Sequence, residues 1–369
     1  MLCFLWYVIL LRNLHSLVTI SLFEQEDPPE LDDWPRLSII ISARNEANTI
    51  QPAISTILEQ DYPNLEIILV NDRSTDKTGE IIENISKKDS RVKNINITQL
   101  PEGWLGKVHA LYEASKKITG EWVLYTDADV HLRQGTLRKA IALCASCSYD
   151  HFSLLPKANV FSFWHEIVLR SFGFLLLQDI RNLKFCGVGA FNLVRRSSLE
   201  RTEGFPWLRM EIADDMGLGL LLQRSGAKNG YAFAFRHVSL TWYPSIGTMV
   251  KGLAKNTVCA AQYSLYKSFI FAICLWAVVG GPILILLHPG LPYLSVLGIG
   301  AYCLLVASAV VAQTRLGENL LPSLFLPAGL VFISLIVLRS GMVCRLRGGV
   351  SWRGTHYKTE ELIMGQRFK

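Results

Sequence analysis

The sequence predicts an α/β domain with a mostly parallel sheet, followed by a helical region that spans a membrane. Between residues 37 and 243, short apolar runs alternate with helical patterns, as expected for strands that are buried on both faces of a parallel sheet. From Ser268 to Leu338 the chain contains almost no charged residues. Half of the 369 residues are hydrophobic and only 18% are charged, whereas a soluble domain has about 25% charged residues.

The apolar C-terminal stretch divides into three segments, 268–287, 291–313 and 319–338. Each is long enough to span a bilayer, because about 20 apolar residues suffice. The preceding segment, 244–267, is amphipathic and predicts a helix at the level of the lipid headgroups.

The segment 339–369 is a basic tail, and its arginines favour a cytoplasmic location. Three crossings would instead place this tail on the side opposite to a cytoplasmic α/β domain. The conflict disappears if 319–338, which contains Pro322 and Pro327, is re-entrant.

We expect an N-terminal membrane anchor over residues 1–23, which are apolar apart from Arg12, Asn13 and His15. A spanning helix, an interfacial helix and the start of the domain all remain compatible with this pattern. A cleaved signal peptide is disfavoured, because a basic leader and a small-residue cleavage site are both missing. The net charge of +6 does not indicate nucleic acid binding, since the basic clusters lie beside membrane segments and fit anionic lipid headgroups.

Acidic residues follow three of the predicted strands. The carboxyl ends of parallel strands meet at one edge of a sheet, which is where ligands bind in such folds. A G-x-G-x-x-G fingerprint is missing after the first strand, which argues against NAD or FAD. The acidic residues are Glu46 after the strand Leu37–Ser42, Asp72 after Glu66–Val70, and Asp127 with Asp129 after Trp122–Tyr125.

Asp127 and Asp129 are two residues apart where a strand ends, so both carboxylates can project from one sheet edge. Such a pair suits a divalent cation that carries a diphosphate. For Glu46 or Asp72 taken singly, a helix cap is an equal alternative.

A second carboxylate pair, Asp214 and Asp215, opens a predicted helix that runs to Arg224. One acidic residue at a helix N-terminus is explained as a cap, but two are more than a cap requires. Gly187 and Gly189 permit the close approach of a ligand or a tight bend of the backbone.

Four motifs occur in order: Ser-Ala-Arg-Asn-Glu (42–46), Val-Asn-Asp-Arg-Ser-Thr-Asp (70–76), Gly-Trp-Leu-Gly-Lys (103–107) and Thr-Asp-Ala-Asp (126–129). Together they resemble the GT-A domain of the family 2 inverting glycosyltransferases, from about Leu37 to Asn256. The stretch 101–107 is similar to the branch that includes hopanoid-associated and carotenoid glucosyltransferases. A more distant similarity is to ceramide glucosyltransferases.

The resemblance implies that the donor is a UDP-sugar. Glu46 and Asp72 would contact its uracil and ribose, and Asp127 would lie beside the ribose or the metal. Asp129 would ligate Mg²⁺ or Mn²⁺ that bridges the diphosphate. Lys107 would lie near the diphosphate or the sugar, although a solvated lysine at a helix start is the alternative.

The resemblance also implies that the segment around Gly189 forms the floor beneath the donor sugar. Asp215 would be the general base and Asp214 would support it. A carboxylate that takes the proton of an acceptor hydroxyl typically accelerates a reaction about 10²–10⁴-fold.

We therefore expect metal-dependent, inverting transfer of one hexose from a UDP-sugar to the hydroxyl of a membrane lipid. The protein would reside in the plasma or inner membrane with its catalytic domain in the cytoplasm. A processive polysaccharide synthase is the alternative enzyme, but the Q-x-x-R-W box of those synthases is replaced here by 251–256, Lys-Gly-Leu-Ala-Lys-Asn. A catalytically inactive membrane scaffold that keeps the nucleotide-binding fold is the non-enzymatic alternative.

Overall fold

The computed structural model describes residue 11 and residues 21–182, 185–286 and 292–368. An α/β domain occupies the first two-thirds of the chain. Its strands, in chain order, are β1 (Leu37–Ala43), β2 (Leu65–Asp72), β3 (Val92–Ile97), β4 (Trp122–Asp127), β5 (Val130–Leu132), β6 (His151–Leu155), β7 (Lys157–Ala158), β8 (Asn192–Arg195), β9 (Asn229–Phe233) and β10 (Val238–Leu240).

Seven of these strands form a mixed sheet in the order β3-β2-β1-β4-β8-β6-β9, and β5, β10 and β7 form a small second sheet. In the large sheet β3, β2, β1 and β4 are parallel, and so are β6 and β9. The mostly parallel sheet predicted from the sequence is thus confirmed. The exception is β8, which lies between β4 and β6 and is antiparallel to both.

The helices of the domain connect these strands. Every residue of β1 is buried, because helices cover both faces of the sheet. Ile39 and Ile41 belong to the apolar core on one face, and Ile40 belongs to the core on the other. The helices are α1 (Ile50–Leu58), α2 (Thr78–Lys88), α3 (Gly106–Ser115), α4 (Thr136–Cys147), α5 (Phe163–Asn182), α6 (Arg196–Glu200) and α7 (Asp214–Arg224).

Of the predicted N-terminal anchor, only Leu11 and residues 21–23 lie within the described residues. Phe23 is fully buried, and its ring centroid lies 6.3 Å from that of Phe152 in β6. Leu22 forms a bridge with Phe233 at the end of β9. The last two residues of the predicted anchor are therefore part of the core of the α/β domain.

Four helices follow the domain. They are α8 (Ile246–Ala260), α9 (Leu265–Leu286), α10 (Pro292–Leu316) and α11 (Leu326–Arg347). In the described part of the chain, Val296–Leu316 and Leu321–Arg347 are long and apolar enough to cross a membrane, by length and composition. A third crossing is counted only if α8 and α9, which meet at an angle of 104°, act as one broken span. The predicted separator 288–290 lies outside the described residues.

The predicted segment 319–338 is part of a longer helical region. Pro322 lies in a short 3₁₀ helix, Leu321–Phe325, and Pro327 lies in the first turn of α11, where a missing N–H group is tolerated. The helix then continues to Arg347 and ends at Gly348, which adopts a left-handed conformation with φ of 65°.

The segment 339–369, predicted as a basic tail, is folded, and its first residues continue α11 to Arg347. After α11 the chain forms a hairpin, β11 (Gly349–Trp352) and β12 (Thr355–Lys358), and a short helix, α12 (Thr359–Gly365). Buried Glu211 accepts hydrogen bonds from the backbone N–H groups of Arg367 (2.5 Å) and Phe368 (2.9 Å). These contacts attach the C-terminal segment to the α/β domain.

Candidate active site

The carboxyl ends of the central parallel strands meet at one edge of the sheet. In the strand register Asp127 of β4 pairs with Ser42 of β1, and Asn71 of β2 pairs with Ala43 of β1. Asp127 and Asp72 therefore end β4 and β2, the two strands that flank β1, as the sequence predicts. Glu46 follows β1 by three residues and lies at the same edge.

Lys107 joins the two carboxylate pairs. Its Nζ atom lies 2.9 Å from Oδ1 of Asp127 and 3.3 Å from Oδ2 of Asp214. Burial alone would lower the pKa of Lys107, but the carboxylates of Asp127, Asp214 and Asp215 raise it above its ordinary value. The lysine is therefore held as a cation between the end of β4 and the start of α7. The alternative of a solvated lysine at a helix start is wrong, because the Lys107 side chain is only 12% exposed.

Asp214 and Asp215 open α7 as predicted, and the N-cap residue before them, Ala213, makes no side-chain capping bond. Asp214 is buried, which raises its pKa, and the charge of Lys107 opposes this rise. The Asp215 carboxylate accepts hydrogen bonds from the backbone N–H groups of Gly189 (2.9 Å) and Met216 (2.8 Å). Two backbone donors thus fix the orientation of Asp215.

Gly187 and Gly189 are needed for this packing. A Cβ atom at Gly187 would lie 1.7 Å from the backbone oxygen of Asp215. A Cβ atom at Gly189 would lie 2.8 Å from Oδ2 of Asp127 and 3.4 Å from Nζ of Lys107. Gly189 thus contacts both the end of β4 and Asp215, and a small cleft forms between them. Asp127, Lys107, Gly189, Asp214 and Asp215 line this cleft together with Asn192 and apolar side chains.

Asp129 lies next to this cleft in an acidic environment. Its pKa is raised to about 7, first by burial and then by the carboxylates of Asp127 and Glu46, whereas Arg353 opposes the rise. Asp129 forms no ion pair with any of the described residues. A carboxylate placed beside two other carboxylates is the kind of oxygen ligand that a divalent ion prefers.

Within the described chain, no group of three or more His, Cys, Asp or Glu side chains is arranged to hold a metal ion. Mg²⁺ and similar ions are often bound by one or two carboxylates together with the phosphates of a substrate. Asp127 and Asp129 are the residues that would supply these carboxylates.

Asp72 is nearly fully buried, and both of its oxygens accept hydrogen bonds from Arg73, at 2.7 and 3.1 Å. It does not cap α2, whose first turn begins at Thr78. A Cβ atom at Gly106 would lie 2.6 Å from Oδ2 of Asp72, so Asp72 packs against the residue before Lys107. The Glu46 carboxylate accepts hydrogen bonds from the Thr49 hydroxyl and from Arg353, and the Glu46 backbone oxygen accepts one from the N–H of Ile50 at the start of α1.

Sequence reasoning missed two contacts from the C-terminal hairpin. Nη2 of Arg353 lies 3.3 Å from Oε1 of Glu46. The backbone N–H of Gly106 donates to the Tyr357 hydroxyl over 3.3 Å. The signal for the turn is Arg353-Gly354, since Gly favours the left-handed conformation that both residues adopt, with φ of 47° and 77°. No sequence signal places this turn beside Glu46, which is 307 residues away.

Asn192 is a third residue whose position was not predicted. Its Nδ2 donates to the backbone oxygen of Asp215 over 3.4 Å, and its Oδ1 contacts Nε2 of His151. His151 in turn contacts Asn229 through Nδ1 at 2.7 Å. A polar network of residues in β6, β8 and β9 therefore reaches the backbone of Asp215.

Comparison with known proteins relates the part of the chain that carries much of this site to a known family. Residues 38–202 match the model of the family described as "Glycosyl transferase family 2". The match covers less than half of the chain and includes the acidic residues that follow β1, β2 and β4. The resemblance predicted from the motifs is thus confirmed, as is the enzyme class at the level of this domain.

The glycosyltransferase domain has curated relatives in bacteria. It is similar to a GalNAc(5)-diNAcBac-PP-undecaprenol beta-1,3-glucosyltransferase of Campylobacter jejuni, with 38% identity over 160 residues, 42% of this chain and 43% of the relative. It is also similar to a 4,4'-diaponeurosporenoate glycosyltransferase of Staphylococcus haemolyticus, with 25% identity over 260 residues, 66% of each chain. The chain thus spans less than half of the first relative.

A solved structure with the same fold is the mannosyltransferase PcManGT of Pyrobaculum calidifontis in complex with GDP-Man and Mn²⁺. The two structures share 20% identity, with a TM-score of 0.56, and the alignment covers 92% of this chain and 95% of that chain. This likeness confirms the GT-A fold.

Proposed function

We propose that this protein transfers a single hexose from a UDP-sugar to the hydroxyl of a membrane lipid, with inversion at the anomeric carbon. The observation that carries the proposal is the position of Gly189. It contacts the Asp127 carboxylate and donates to Asp215, so the predicted donor and acceptor sides of the reaction meet at one residue. The two relatives support a lipid acceptor, since one is named for an undecaprenol-linked molecule and the other for diaponeurosporenoate.

Asp127 and Asp129 would hold Mg²⁺ or Mn²⁺. When bound, such an ion neutralises negative charge that develops on the departing diphosphate. Lys107 would add a permanent positive charge beside the same group, because the three surrounding carboxylates favour its protonated form. Glu46 and Asp72, at the same sheet edge, would contact the uracil and ribose.

The acceptor hydroxyl oxygen attacks the anomeric carbon on the face opposite to the leaving UDP. A bond forms between this oxygen and the carbon as the bond from the carbon to the diphosphate oxygen breaks. Asp215 takes the hydroxyl proton, and UDP leaves with the bonding electron pair. Two backbone hydrogen bonds orient Asp215, and Asp214 supports it by holding Lys107.

The protein would act as an integral enzyme of the plasma or inner membrane, with the glycosyltransferase domain in the cytoplasm. The apolar helices after the domain support membrane residence. The exposed arginines near the end of α11 support a cytoplasmic position of the adjoining domain. No nucleic acid or protein partner forms part of this proposal.

The experiment uses membranes that contain the wild type, Asp215→Asn or, as a matched control, Asp33→Asn, which changes an exposed aspartate. Labelled UDP-glucose and Mn²⁺ are added, and the lipid extract is separated from water-soluble polymer. We expect label in the lipid with the wild type and Asp33→Asn, at least about 100-fold less with Asp215→Asn, and none after chelation of the metal.

Each other outcome has a definite meaning. Label in polymer would identify a processive synthase instead. Equal labelling by wild type and Asp215→Asn would overturn the assignment of the base. If a panel of nucleotide-sugars gives no transfer while UDP still binds, the protein is a scaffold.

A further inference from the structure

Lys255 of α8 is a cation beside the candidate site that the proposed reaction does not yet use. Cys259 lies one turn later on the same face of α8, since residues four apart on a helix are neighbours. The Cys259 sulfur lies 4.0 Å from Oε1 of Glu211. Glu211 comes shortly before Asp214 and Asp215, so this face of α8 packs against the segment that carries the second carboxylate pair.

The ammonium group of Lys255 lacks a counter-ion. Its Nζ atom lies 4.2 Å from the centroid of the Trp352 ring, in the C-terminal hairpin, and it forms no ion pair with any of the described residues. The nearby carboxylates already have other partners. Asp214 pairs with Lys107, and Asp215 accepts two backbone hydrogen bonds. Lys255 is thus the cation that is left over on this side of the site.

Lys255 is also partly withdrawn from water. Burial, followed by the charge of Lys107, lowers its pKa to about 8, whereas the carboxylate of Asp214 opposes this change. The group still carries its charge in most molecules at neutral pH. A partly buried charge without a paired ion is costly, so an anion that reached Lys255 would be bound favourably.

Two observations place this anion on the acceptor side of the site. Asp214 and Asp215, the proposed base and its support, are the carboxylates that act on the pKa of Lys255. The pKa of Asp129, a proposed metal ligand, is instead raised by carboxylates at the strand ends. In addition, α8 ends at Ala260, and the apolar helix α9 begins only five residues later. A basic amphipathic helix that adjoins an apolar helix lies at the level of the lipid headgroups.

We propose that Lys255 binds a phosphate group in the headgroup of the lipid acceptor and so places a neighbouring hydroxyl beside Asp215. A lysine ammonium is a compact charge that commonly binds phosphate. The ring of Trp352 keeps this ammonium in position, because an aromatic face attracts a cation. The inference rests on the proposed function and narrows its acceptor to a lipid that carries phosphate close to the reacting hydroxyl.

The test measures binding of two short-chain lipids to the full-length protein in detergent, with UDP and Mn²⁺ present. Dioctanoyl phosphatidylglycerol has hydroxyl groups close to a phosphate, and dioctanoylglycerol has a hydroxyl group without one. Lys255→Met removes the charge and keeps the length of the side chain. Lys251→Met is the matched control, because Lys251 is an exposed lysine one turn earlier on the same helix. Calorimetry gives the dissociation constants of both lipids and of UDP.

We expect the wild type to bind phosphatidylglycerol more tightly than dioctanoylglycerol. Lys255→Met should weaken binding of phosphatidylglycerol at least about tenfold, because a hydrogen bond to a charged group is lost. Binding of dioctanoylglycerol and of UDP should change little. Lys255→Arg, which keeps the charge, should retain most of the affinity for phosphatidylglycerol, and Lys251→Met should behave as the wild type. Lys255→Met should fold at least as well as the wild type, because it removes an unpaired cation.

Equal binding of phosphatidylglycerol by the wild type and Lys255→Met would overturn the proposal, as would equal binding of the two lipids by the wild type. Weaker binding of UDP in Lys255→Met, with unchanged binding of phosphatidylglycerol, would assign Lys255 to the donor diphosphate and would also overturn it. All of these outcomes leave the proposed function intact. A wild type that binds no UDP would instead contradict the proposed function itself.

Discussion

The backbone N–H of Gly189 donates a hydrogen bond to the Asp215 carboxylate over 2.9 Å. The same glycine leaves no room for a side chain on its other side, since a Cβ atom would approach Asp127 to 2.8 Å. The positions of the proposed base and of a proposed metal ligand are thus set by one backbone segment.

Gly189→Ala should reduce transfer with little loss of stability. The added methyl group displaces the Asp127 carboxylate, which is a side chain that can move. We expect turnover to fall at least about tenfold, because small displacements at a reacting centre are costly. Steady-state kinetics and the melting temperature check this. Gly187→Ala is the contrasting variant, because its methyl group would meet the Asp215 backbone, and it should lose about 1–3 kcal/mol of stability.

Lys107→Met should destabilise the domain. It removes the cation between Asp127 and Asp214 and leaves buried Asp214 without its counter-charge. Breaking a buried pair in this way costs about 3–5 kcal/mol. The double variant Lys107→Met with Asp214→Asn should recover part of the lost melting temperature. An unchanged melting temperature in the single variant would contradict the structural role of this ion pair.

Arg353→Ala should weaken binding of the donor. The variant releases the hairpin turn from Glu46, which is a proposed donor contact, and removes a positive charge from an acidic region. We expect the KM for the nucleotide-sugar to rise several-fold. Lys358→Ala is the control, because Lys358 is an exposed cation of the same hairpin. The same change in both variants would point to a general effect of charge.

The environment of Glu66 predicts a pH dependence of the stability of the fold that does not involve the candidate site. Burial alone would raise its pKa, but hydrogen bonds from Ser38, Thr119 and Lys93 lower it to about 2. The unfolded chain has an ordinary glutamate pKa of about 4.3. The ionised Glu66 carboxylate therefore stabilises the folded state fully above about pH 5, and this stabilisation is lost as the pH falls toward 2.

Glu66→Gln should lower the free energy of unfolding by about 2 kcal/mol at neutral pH and by much less near pH 2, because linkage makes a pKa difference a stability difference. Thermal unfolding of both proteins between pH 7 and pH 3 measures the convergence. Glu83→Gln serves as the control, since Glu83 is exposed and forms a surface ion pair with Lys87. Parallel pH curves for wild type and Glu66→Gln would contradict this role of the carboxylate.

The sequence could predict the sheet edge, because continuous apolar strands followed by carboxylates identify both the strands and their carboxyl ends. It could predict the pair Asp214–Asp215 for the same local reason. It could not predict that β8 pairs antiparallel with β4, since sheet order depends on long-range packing. The contact of Arg353 with Glu46 joins residues at opposite ends of the chain, so no local pattern encodes it.

For the apolar helices, too, some features follow from local sequence and others depend on long-range packing. Length and composition identify α10 and α11 as apolar segments and do not distinguish a helix that crosses from one that lies on the surface. The ion pair of Lys157 with Glu318 joins the chain just before α11 to the folded domain, and no local pattern predicts it.

The contacts of Glu211 with the N–H groups of Arg367 and Phe368 have a consequence for biosynthesis. A ribosome adds these residues only after it has synthesised the α/β domain and the apolar helices. Until then the buried Glu211 carboxylate lacks two of its three backbone donors. The domain is therefore completed by a segment that is translated after the apolar helices, and a product that stops before Arg367 would leave this carboxylate without those partners.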